Sequence, residues 1–573
     1  MPRRMINVLV LATIGLLGAT AYSQSFRVQC PVSTITHPNA ANNNSEPNYT
    51  APSFGVPSTW TAGPNGFALP TGPVNGAIKC QQISGGDGYS TMANGTQTFM
   101  FSFGPLSGLA DIAAGLPGTE FPNVFNTVYP GNVMPGDPAT TDGINTATDP
   151  TFPYFSNTTR SLATAPFSWN GAVGLTPDTD AIAAGTCTAP CLDGHVDPRQ
   201  IMDVGVMNGN IPAPLFAIDE DDEFFLTLTN VGMIMRPDLF EQHTVHFHGY
   251  PNASAFYDGV PDASVAINIG GSFTYYYLAP DAGTYFWHCH ITPPEHLQMG
   301  MVGQIYVRPR QNRLPLGTDL YAGLQKQQGD LRTSCTQANS GNAFSSSDIL
   351  CTNPLPTADD GVTQKNDTVG SATTNPNYGL PQKYAYNDGD GSTAYDVEYP
   401  IQIHGFDPNF HFVGMTFNPE MFVDMKDKFF LLNGRSYPDT MTPGPLTTES
   451  SDGRSHFSQP LPSIINIPAG GKALLRISDL DVQEMQTLAS LGIPMHVIGY
   501  NAKLLRDQEG NNTDYYANSI TLGGGESLDV ILDASNTTLY PSGSVFYLFT
   551  PQLDHLANDQ ENFGGLMTEV HIN

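Results

Sequence analysis

Apolar side chains recur at every second position in two stretches near the middle of the chain. One apolar face runs from Phe224 to Leu228 and an aromatic face runs from Phe273 to Tyr277. A period of two puts alternate side chains on opposite faces of a β-strand. Turn-forming pairs that contain glycine separate the two stretches. The pattern predicts neighbouring strands joined by turns.

Further short segments carry the same kind of signal. A strand-like segment runs from Thr98 to Phe103, and four more lie toward the C-terminus: "DKFFLLNG", "KALLRISDL", "PMHVIGYN" and "GSVFYLFTP". No long stretch shows the 3.6-residue period of an amphipathic helix. We therefore expect an all-β fold.

Changes in composition along the chain predict its division into domains. Residues 24–310 form a first β domain whose N-terminal part, rich in Asn, Pro, Gly and Thr, consists of long loops. Residues 311–395 are polar and are predicted to be a linker or insertion. Residues 396–573 form a second β domain.

The first 23 residues have the pattern of an export signal. Arg3 and Arg4 precede an apolar run over residues 6–21, and Ala19 and Ala21 suit a cleavage site. No other stretch has the roughly 20 apolar residues that a membrane span needs. We expect a secreted or periplasmic protein without a membrane span.

The charge balance restricts the partners. The 573 residues include 22 Lys and Arg against 53 Asp and Glu, for a net charge of −31. Nucleic acid and anionic membrane surfaces are therefore poor partners. A charged share of only 13%, with 57 Gly and 47 Pro, argues against a coiled coil or a charged disordered chain.

Six of the seven cysteines fit an oxidising compartment. They allow 15 pairings, of which we favour Cys30–Cys80, Cys187–Cys191 and Cys335–Cys351. The rival interpretation is a CxxxC metal or redox pair at Cys187 with His195 nearby. The seventh cysteine, Cys289, lies between two histidines.

Six of the fourteen histidines fall into two clusters, "HTVHFHG" and "HCHITPPEHLQMGM". On a strand, His288 and His290 point to one face and Cys289 points to the other. By the same alternation His246 and His248 share one face of their strand. His243 points to the other face and can approach Cys289. Two sites on opposite faces of a sheet are therefore predicted.

The first predicted site combines the Cys289 thiolate with the imidazoles of His243 and His296 and the thioether of Met301. One thiolate, two imidazoles and a weak axial thioether are the ligands of a blue-copper, or type 1, centre. Zinc also accepts one Cys and two His but has little use for a thioether.

These residues resemble the multicopper oxidase and cupredoxin superfamily. Its type 1 motif reads His-Cys-His, then His, then Met or Leu five positions later, and His296 to Met301 keeps that last spacing. The interval from Cys289 to His296 is two residues longer than usual. The segments "HFHG", "YDGVPD", "GGSFTYYYLAPDAGTYFWHCH" and "GMVGQIYVRP" follow the family's order, and the resemblance continues more loosely into the second domain. It implies cupredoxin-like Greek-key sandwiches with long loop insertions.

The second predicted site consists of His246, His248, His288 and His290, which offer type 2 or type 3 copper ligands. The resemblance implies eight histidines in four His-x-His pairs for oxygen reduction, and this chain has two pairs. Eight histidines are isolated and are interpreted as hydrogen-bonded or surface residues: His37, His195, His404, His411, His456, His496, His555 and His571. The second domain therefore has no copper motif.

Two ways of completing the second site stay open. In a homo-oligomer, copies of the chain bring their His pairs together. In copper nitrite reductases three histidines hold the second copper. One of them stands five residues after a type 1 histidine, an offset that His243 and His248 reproduce. The third comes from the neighbouring subunit, and His496 stands at its place in the sequence. In those reductases an Asp stands at the place of His246 and an Ala at the place of His290, so the paired-histidine interpretation is preferred.

The predicted function is that of a copper oxidoreductase, with Cys289 and His296 as the catalytic residues. An electron donor reaches the exposed edge of His296. Small molecules such as phenols, metal ions and a redox protein are admissible donors, and dioxygen is the expected acceptor. The alternative is a non-enzymatic electron carrier or copper-binding cupredoxin.

Overall fold

The computed structural model describes residues 26–49, 60–62, 68–70, 74–130, 169–249, 254–279, 281–328, 355–356, 368–369, 383–416, 421–449, 455–507 and 510–573. The predicted export signal and Cys335 and Cys351 lie outside these ranges. Within them, no helix is long and apolar enough to cross a membrane.

Strands dominate the described structure, as the two-residue periods predict. Those up to residue 308 are β1 (Trp60–Ala62), β2 (Ala68–Pro70), β3 (Ile78–Thr91), β4 (Gln97–Pro105), β5 (Phe216–Asp219), β6 (Glu223–Gly232), β7 (His246–His248), β8 (Ser272–Leu278), β9 (Gly283–His288) and β10 (Val302–Arg308).

The remaining strands are β11 (Thr318–Asp319), β12 (Thr368–Val369), β13 (Lys383–Tyr384), β14 (Ala394–Tyr395), β15 (Val397–Phe406), β16 (Phe429–Leu432), β17 (Leu446–Glu449), β18 (Ser455–Gln459), β19 (Ile465–Ile467), β20 (Lys472–Asp479), β21 (Gln486–Leu491), β22 (Met495–Tyr500), β23 (Lys503–Leu504), β24 (Tyr515–Ala517), β25 (Ser519–Leu522), β26 (Ser527–Asp533), β27 (Val545–Phe549) and β28 (Met567–Ile572).

The α-helices are short: Leu109–Ala113, Pro122–Phe125, Thr179–Ala183, Pro198–Gly205, Pro293–Gln298, Leu320–Gln328 and Pro408–Gly414. Single 3₁₀ turns lie at Ala40–Asn42, Ala255–Tyr257, Arg310–Arg313, Phe422–Asp424, Asp439–Met441 and Leu553–His555. The protein is thus mostly β, and the predicted fold class is confirmed.

The first sandwich packs two four-stranded sheets against each other, in the orders β4-β3-β6-β8 and β5-β10-β9-β7. The apolar face predicted from Phe224 to Leu228 is fully buried between them. Trp287 of β9 stacks on Phe216 of β5, with ring centroids 4.4 Å apart. This aromatic core fixes β9, the strand that leads into Cys289.

The second sandwich pairs a seven-stranded sheet with a five-stranded one. The larger has the order β16-β15-β20-β26-β22-β23 with β24 on β22, and the smaller has the order β19-β28-β27-β21-β25. Aliphatic side chains such as Leu475, Val530 and Leu548 fill the core between the sheets. The four C-terminal segments predicted from sequence are β16, β20, β22 and β27.

A buried ionic network joins the two sandwiches. Glu398 of β15 accepts hydrogen bonds from Arg308 of β10 at 2.6 Å and from Arg476 of β20 at 3.0 Å. Arg476 also lies 3.6 Å from Asp529, which accepts a hydrogen bond from Thr284 of β9. The sheet that carries the histidines therefore rests directly on the second sandwich.

Two predicted disulfides are present. Cys30 is bonded to Cys80 and Cys187 to Cys191, so the thiols of the second pair are not free to bind a metal. A redox role of that pair is untested. Cys289 is a buried free thiol. Residues 383–395, the end of the predicted linker, include the buried side chains of Tyr386 and Tyr395. The proposed domain boundaries stay a prediction.

Candidate metal centre

The antiparallel pair β7 and β9 arranges the clustered histidines. His246 is the register partner of His288, and His248 is the partner of Phe286. Cys289 follows directly after β9, and alternation turns its thiol to the opposite side from His288. His243, upstream of β7, exchanges backbone hydrogen bonds with Ile267. His288 and Cys289 therefore face opposite sides of the strand, as the alternation of side chains in the sequence predicts.

His243, Cys289, His296 and Met301, hereafter the thiolate set, are all fully buried. The ligand atoms of His243, Cys289 and His296 lie within 4.8 Å of one another. Met301 is tied to the same loop because its amide donates to the His296 carbonyl, at 2.9 Å, and its carbonyl accepts from the Cys289 amide, at 3.2 Å. The group is consistent with a type 1 copper site.

The electrostatics of the thiolate set favour a thiolate. Burial raises the pKa of Cys289. The charge of His296 and the contacts with both histidines lower it by a larger amount, so the pKa lies well below the usual value. His296 Nδ1 lies 3.2 Å from the sulfur, and the Thr244 amide donates to the sulfur at 3.4 Å. A buried thiolate needs a cation nearby.

His243 shows that the pocket suits a metal. Its ring is fully buried, and neither ring nitrogen has a hydrogen-bond partner. Burial lowers the pKa of His243 by more than the contact with Cys289 raises it, which favours a ring with a lone pair. An unpaired buried imidazole is costly, and a soft cation held by nitrogen and sulfur would satisfy it.

The expectation of an exposed His296 edge is wrong. His296 has 0% exposure, because the Phe101 ring packs edge-on against it at 5.0 Å and Glu241 lies 3.5 Å from its Nε2. Burial lowers the pKa of His296, but the Cys289 thiolate and Glu241 raise it, to about 9. The Glu241 side chain is 28% exposed, so this carboxylate separates the buried imidazole from solvent.

The residues that lengthen the interval between Cys289 and His296 form a helix. Pro293 and Pro294 occupy the first turn of Pro293–Gln298, where the missing amide hydrogen is tolerated. Thr292, before it, adopts a left-handed conformation with φ 36°. The extra length therefore produces a short rigid helix that carries His296.

His246, His248 and His288 form the histidine triad, with ligand atoms within 4.8 Å of one another. His246 Nδ1 donates to the Asp258 carbonyl at 2.6 Å, and His288 Nδ1 donates to the Cys289 carbonyl at 2.8 Å. Each hydrogen bond makes Nδ1 the protonated nitrogen and Nε2 the one with the lone pair, as in metal-binding histidines. The Nε2 of His288 faces the next member of the triad, with His248 Nδ1 3.4 Å away.

Burial lowers the pKa of all three triad imidazoles, that of His288 to about 3. His248 is exposed. His290, the fourth predicted ligand, lies beside the triad, with its ring centroid 5.1 Å from that of His246. The triad is suitable for a second copper, and the role of His290 stays a prediction.

Most of the described isolated histidines have hydrogen-bond or ion-pair partners within the chain. His37 contacts Glu223 and Asn75, His496 contacts Asp514, and His571 contacts Glu569. The side chains of Glu46, Asp219 and Asp222 form a group of carboxylates. Their negative charge is balanced within the chain, because Lys79 lies 3.3 Å from Glu46 and Asp222 accepts two backbone hydrogen bonds.

Sequence reasoning missed Glu241 and the Asp258 carbonyl. Glu241 stands two residues before His243, and an extended chain places such positions on the same side, so its approach to the site could have been inferred. Asp258 acts through its backbone, and no side-chain pattern reveals such a contact.

The comparisons with known proteins converge on this region. Residues 193–312 match the family model described as multicopper oxidase. Laccase abr2 of Aspergillus fumigatus is 34% identical over 109 residues, which are 19% of this chain and 17% of that protein. Multicopper oxidase MmcO of Mycobacterium tuberculosis is 30% identical over 131 residues, 21% of this chain and 24% of that protein.

A copper-containing nitrite reductase of Rhizobium meliloti is 34% identical over 109 residues, 18% of this chain and 26% of that protein. The chain thus matches only about a quarter or less of the length of these relatives. The matched segment contains every residue of the thiolate set and of the triad. Residues 193–312 are therefore similar to the multicopper oxidase and cupredoxin superfamily.

Proposed function

We propose that the protein is a copper-dependent oxidoreductase that transfers electrons from an outside donor to dioxygen. The observation that carries the proposal is the placement of two ligand groups on opposite sides of one strand end. The buried thiolate set lies on one side and the partly exposed histidine triad on the other. Cys289 and His288 are adjacent in the chain, so the two groups are covalently linked.

The residues of the thiolate set would hold a type 1 copper, and the triad, with His290 beside it, would hold further copper. Copper bound at these places supplies one-electron exchange with little rearrangement of its ligands. The aromatic and aliphatic side chains around Cys289 exclude water from the thiolate set. The Asp258 and Cys289 carbonyls orient two rings of the triad.

Glu241 is the proposed point of donor approach. Its partly exposed carboxylate lies 3.5 Å from His296 Nε2. A donor bound to this carboxylate is therefore separated from the buried ring only by the Glu241 side chain. With a net charge of −31, the protein attracts cationic donors such as metal ions more strongly than anionic ones. Phenols and a redox protein are the other donors to test.

Metal analysis with EPR and oxygen uptake tests the proposal. We expect two or more coppers per chain, an intense visible band from the thiolate, and oxygen consumption with a reducing donor. One copper per chain with no oxygen uptake would instead identify an electron carrier. No copper at all would refute both.

Nitrite reduction is a second candidate, favoured by one observation. Three histidines have ligand atoms close together, as a single second copper requires. One of them is His246, which stands at the place of an Asp in copper nitrite reductases. His496, at the place of the third histidine of those reductases, lies 2.8 Å from Asp514 and stacks on Tyr516 within the chain. It would have to reach the second copper of a neighbouring copy. Nitrite consumption without oxygen uptake would select this candidate.

We also propose that the protein works in an oxidising compartment, secreted or periplasmic. The two disulfides, Cys30–Cys80 and Cys187–Cys191, support this placement. An assembly of several copies that completes the second site stays a prediction, and the mass of the purified protein in solution tests it.

A further inference from the structure

The helix that carries His296 is held at its C-terminal end by the second sandwich. His404 of β15 donates from Nε2 to the Leu297 carbonyl at 2.9 Å. His411, in the helix Pro408–Gly414, places its Nε2 2.9 Å from the Gln298 carbonyl. The last carbonyls of a helix lack the amide donors of the following turn, so caps and groups from outside satisfy them. The Leu297 carbonyl accepts from the Gly300 amide at 2.9 Å as well as from His404. Two imidazoles from the other sandwich meet consecutive carbonyls at this end.

The Gln298 side chain extends the same contact. It is fully buried, donates to Asp427 Oδ1 at 2.8 Å and accepts from the Asp407 amide at 3.2 Å. Gln298 thus meets the second sandwich through its backbone and through both ends of its amide. Because His296 lies two residues earlier in the same short helix, these contacts restrict the position of its ring.

His411 also reaches the opposite wall of the pocket. Its Nδ1 lies 2.6 Å from the Phe99 carbonyl in β4. Two residues along β4, the Phe101 ring packs against both His296, at 5.0 Å, and His243, at 6.4 Å. The His411 ring is itself fixed by stacking on Phe406, with centroids 3.7 Å apart. Burial lowers the pKa of His411 to about 3, so the ring is neutral and donates its one N–H to one of the two carbonyls while contacting the other. The ring therefore touches both the strand and the helix that flank the thiolate set.

We propose that His404 and His411 are positioning residues that cap the His296 helix from the second sandwich and so set the geometry of the copper pocket. The inference rests on the proposed function for its copper readouts, and it also makes a claim about the metal-free chain. The second sandwich, which has no copper motif of its own, thereby controls the metal site of the first.

The test compares three variants: His411→Phe, His404→Phe and the control His555→Phe. His555 is a matched residue, since it is buried, stacks on Phe430 at 3.7 Å and bonds Gln486 and Glu484 of the second sandwich. Phenylalanine keeps a ring at each position, with the stacking contact at positions 411 and 555, and removes the ring nitrogens. Thermal unfolding measures the general cost of each change.

The first readout uses metal-free protein. Amide hydrogen exchange of residues 293–301 is expected to be faster than in the parent in His411→Phe and His404→Phe and unchanged in His555→Phe. The second readout uses copper. We expect about a 10-fold loss of copper affinity in a chelator competition, with a shifted thiolate band, as loss of supporting hydrogen bonds produces at metal sites.

Parent-like exchange and parent-like copper affinity in both test variants would overturn the proposal, even if their melting temperatures fell as in His555→Phe. If His411→Phe does not fold, His404→Phe decides by the same two readouts. If the parent binds no copper, the proposed function fails, while the exchange experiment still decides whether the two imidazoles hold the helix.

Discussion

His246 lies directly opposite His288 in the antiparallel pairing of β7 with β9. Because the next residue, Cys289, is turned to the other side of the strand end, the triad and the thiolate set lie back to back. Side-chain alternation alone produces this arrangement. It also makes the two groups separable by mutation, since residues on one side can be changed without touching the other.

Cys289→Ser should abolish an intense visible absorption. That band arises from charge transfer between a thiolate and copper, and a hydroxyl cannot supply it. Among the described cysteines Cys289 is the free one. Absorption spectra of the parent and the variant, both loaded with copper, check this. An unchanged band in the variant would refute the assignment of the thiolate set.

Met301→Leu should keep copper bound and raise its reduction potential. A weak axial donor to the oxidised metal is removed, while the three stronger ligands remain. Met299→Leu is the control, because Met299 is equally buried in the same loop and is outside the thiolate set. Redox titration of both variants is the measurement. Equal potentials in the two variants, or loss of copper from Met301→Leu, would contradict an axial role.

Much of the site followed from the sequence because period-two alternation fixes which side each residue of a His-x-His or His-Cys-His motif faces. His243 and His296 are brought to Cys289 as expected. The burial of His296 could not be predicted, because it depends on Phe101 from β4 and on Glu241. The contacts of His404 and His411 join distant parts of the chain, and no local pattern reports such packing.

Glu398→Gln should destabilise the protein by about 3–5 kcal/mol at pH 7, because Arg308 and Arg476 lose the charge that compensates their burial. Asp533→Asn is the control: Asp533 pairs with Lys472 near the surface, where loss of a pair costs about 1 kcal/mol or less. Urea unfolding of both variants measures the two costs. Equal small losses would show that the network contributes little.

The effect of Glu398→Gln should also depend on pH. Burial raises the pKa of Glu398, but the charges of Arg308 and Arg476 lower it by a larger amount, so that the pKa is about 2. A lowered folded-state pKa stabilises the protein above the unfolded value, near 4.5, and this stability is lost as pH falls toward 2. The difference between parent and variant should therefore shrink between pH 5 and pH 3, measured by unfolding across that range.

Glu120→Gln should stabilise the protein at pH 7. Burial, with the charge of Asp111, raises the pKa of Glu120 to about 8. Between the unfolded value of 4.5 and about 8 the unfolded state loses a proton that the folded state retains, so stability falls as pH rises through this window. Glutamine cannot lose a proton in the unfolded state, so the variant does not lose stability in this pH window. Its melting temperature should exceed that of the parent at pH 7 and match it at pH 4, with the exposed Glu561→Gln as control.

The double variant His248→Ala/His290→Ala tests the exposed side of the strand. The visible band should remain, because both residues lie on the side opposite the Cys289 thiol, while copper content and oxygen uptake should fall. His571→Ala is the control, since this histidine pairs with Glu569 and belongs to neither candidate copper site.

The single variant His290→Ala then assigns the fourth histidine. If His290 is a ligand, it should lose copper and oxygen uptake as the double variant does. If the triad alone holds the second copper, His290→Ala should keep its copper, because His246, His248 and His288 already have their ligand atoms within 4.8 Å of one another. A double variant that retains all copper and all oxygen uptake would show that the exposed imidazoles only pack and form hydrogen bonds, and that any oxygen reduction occurs elsewhere.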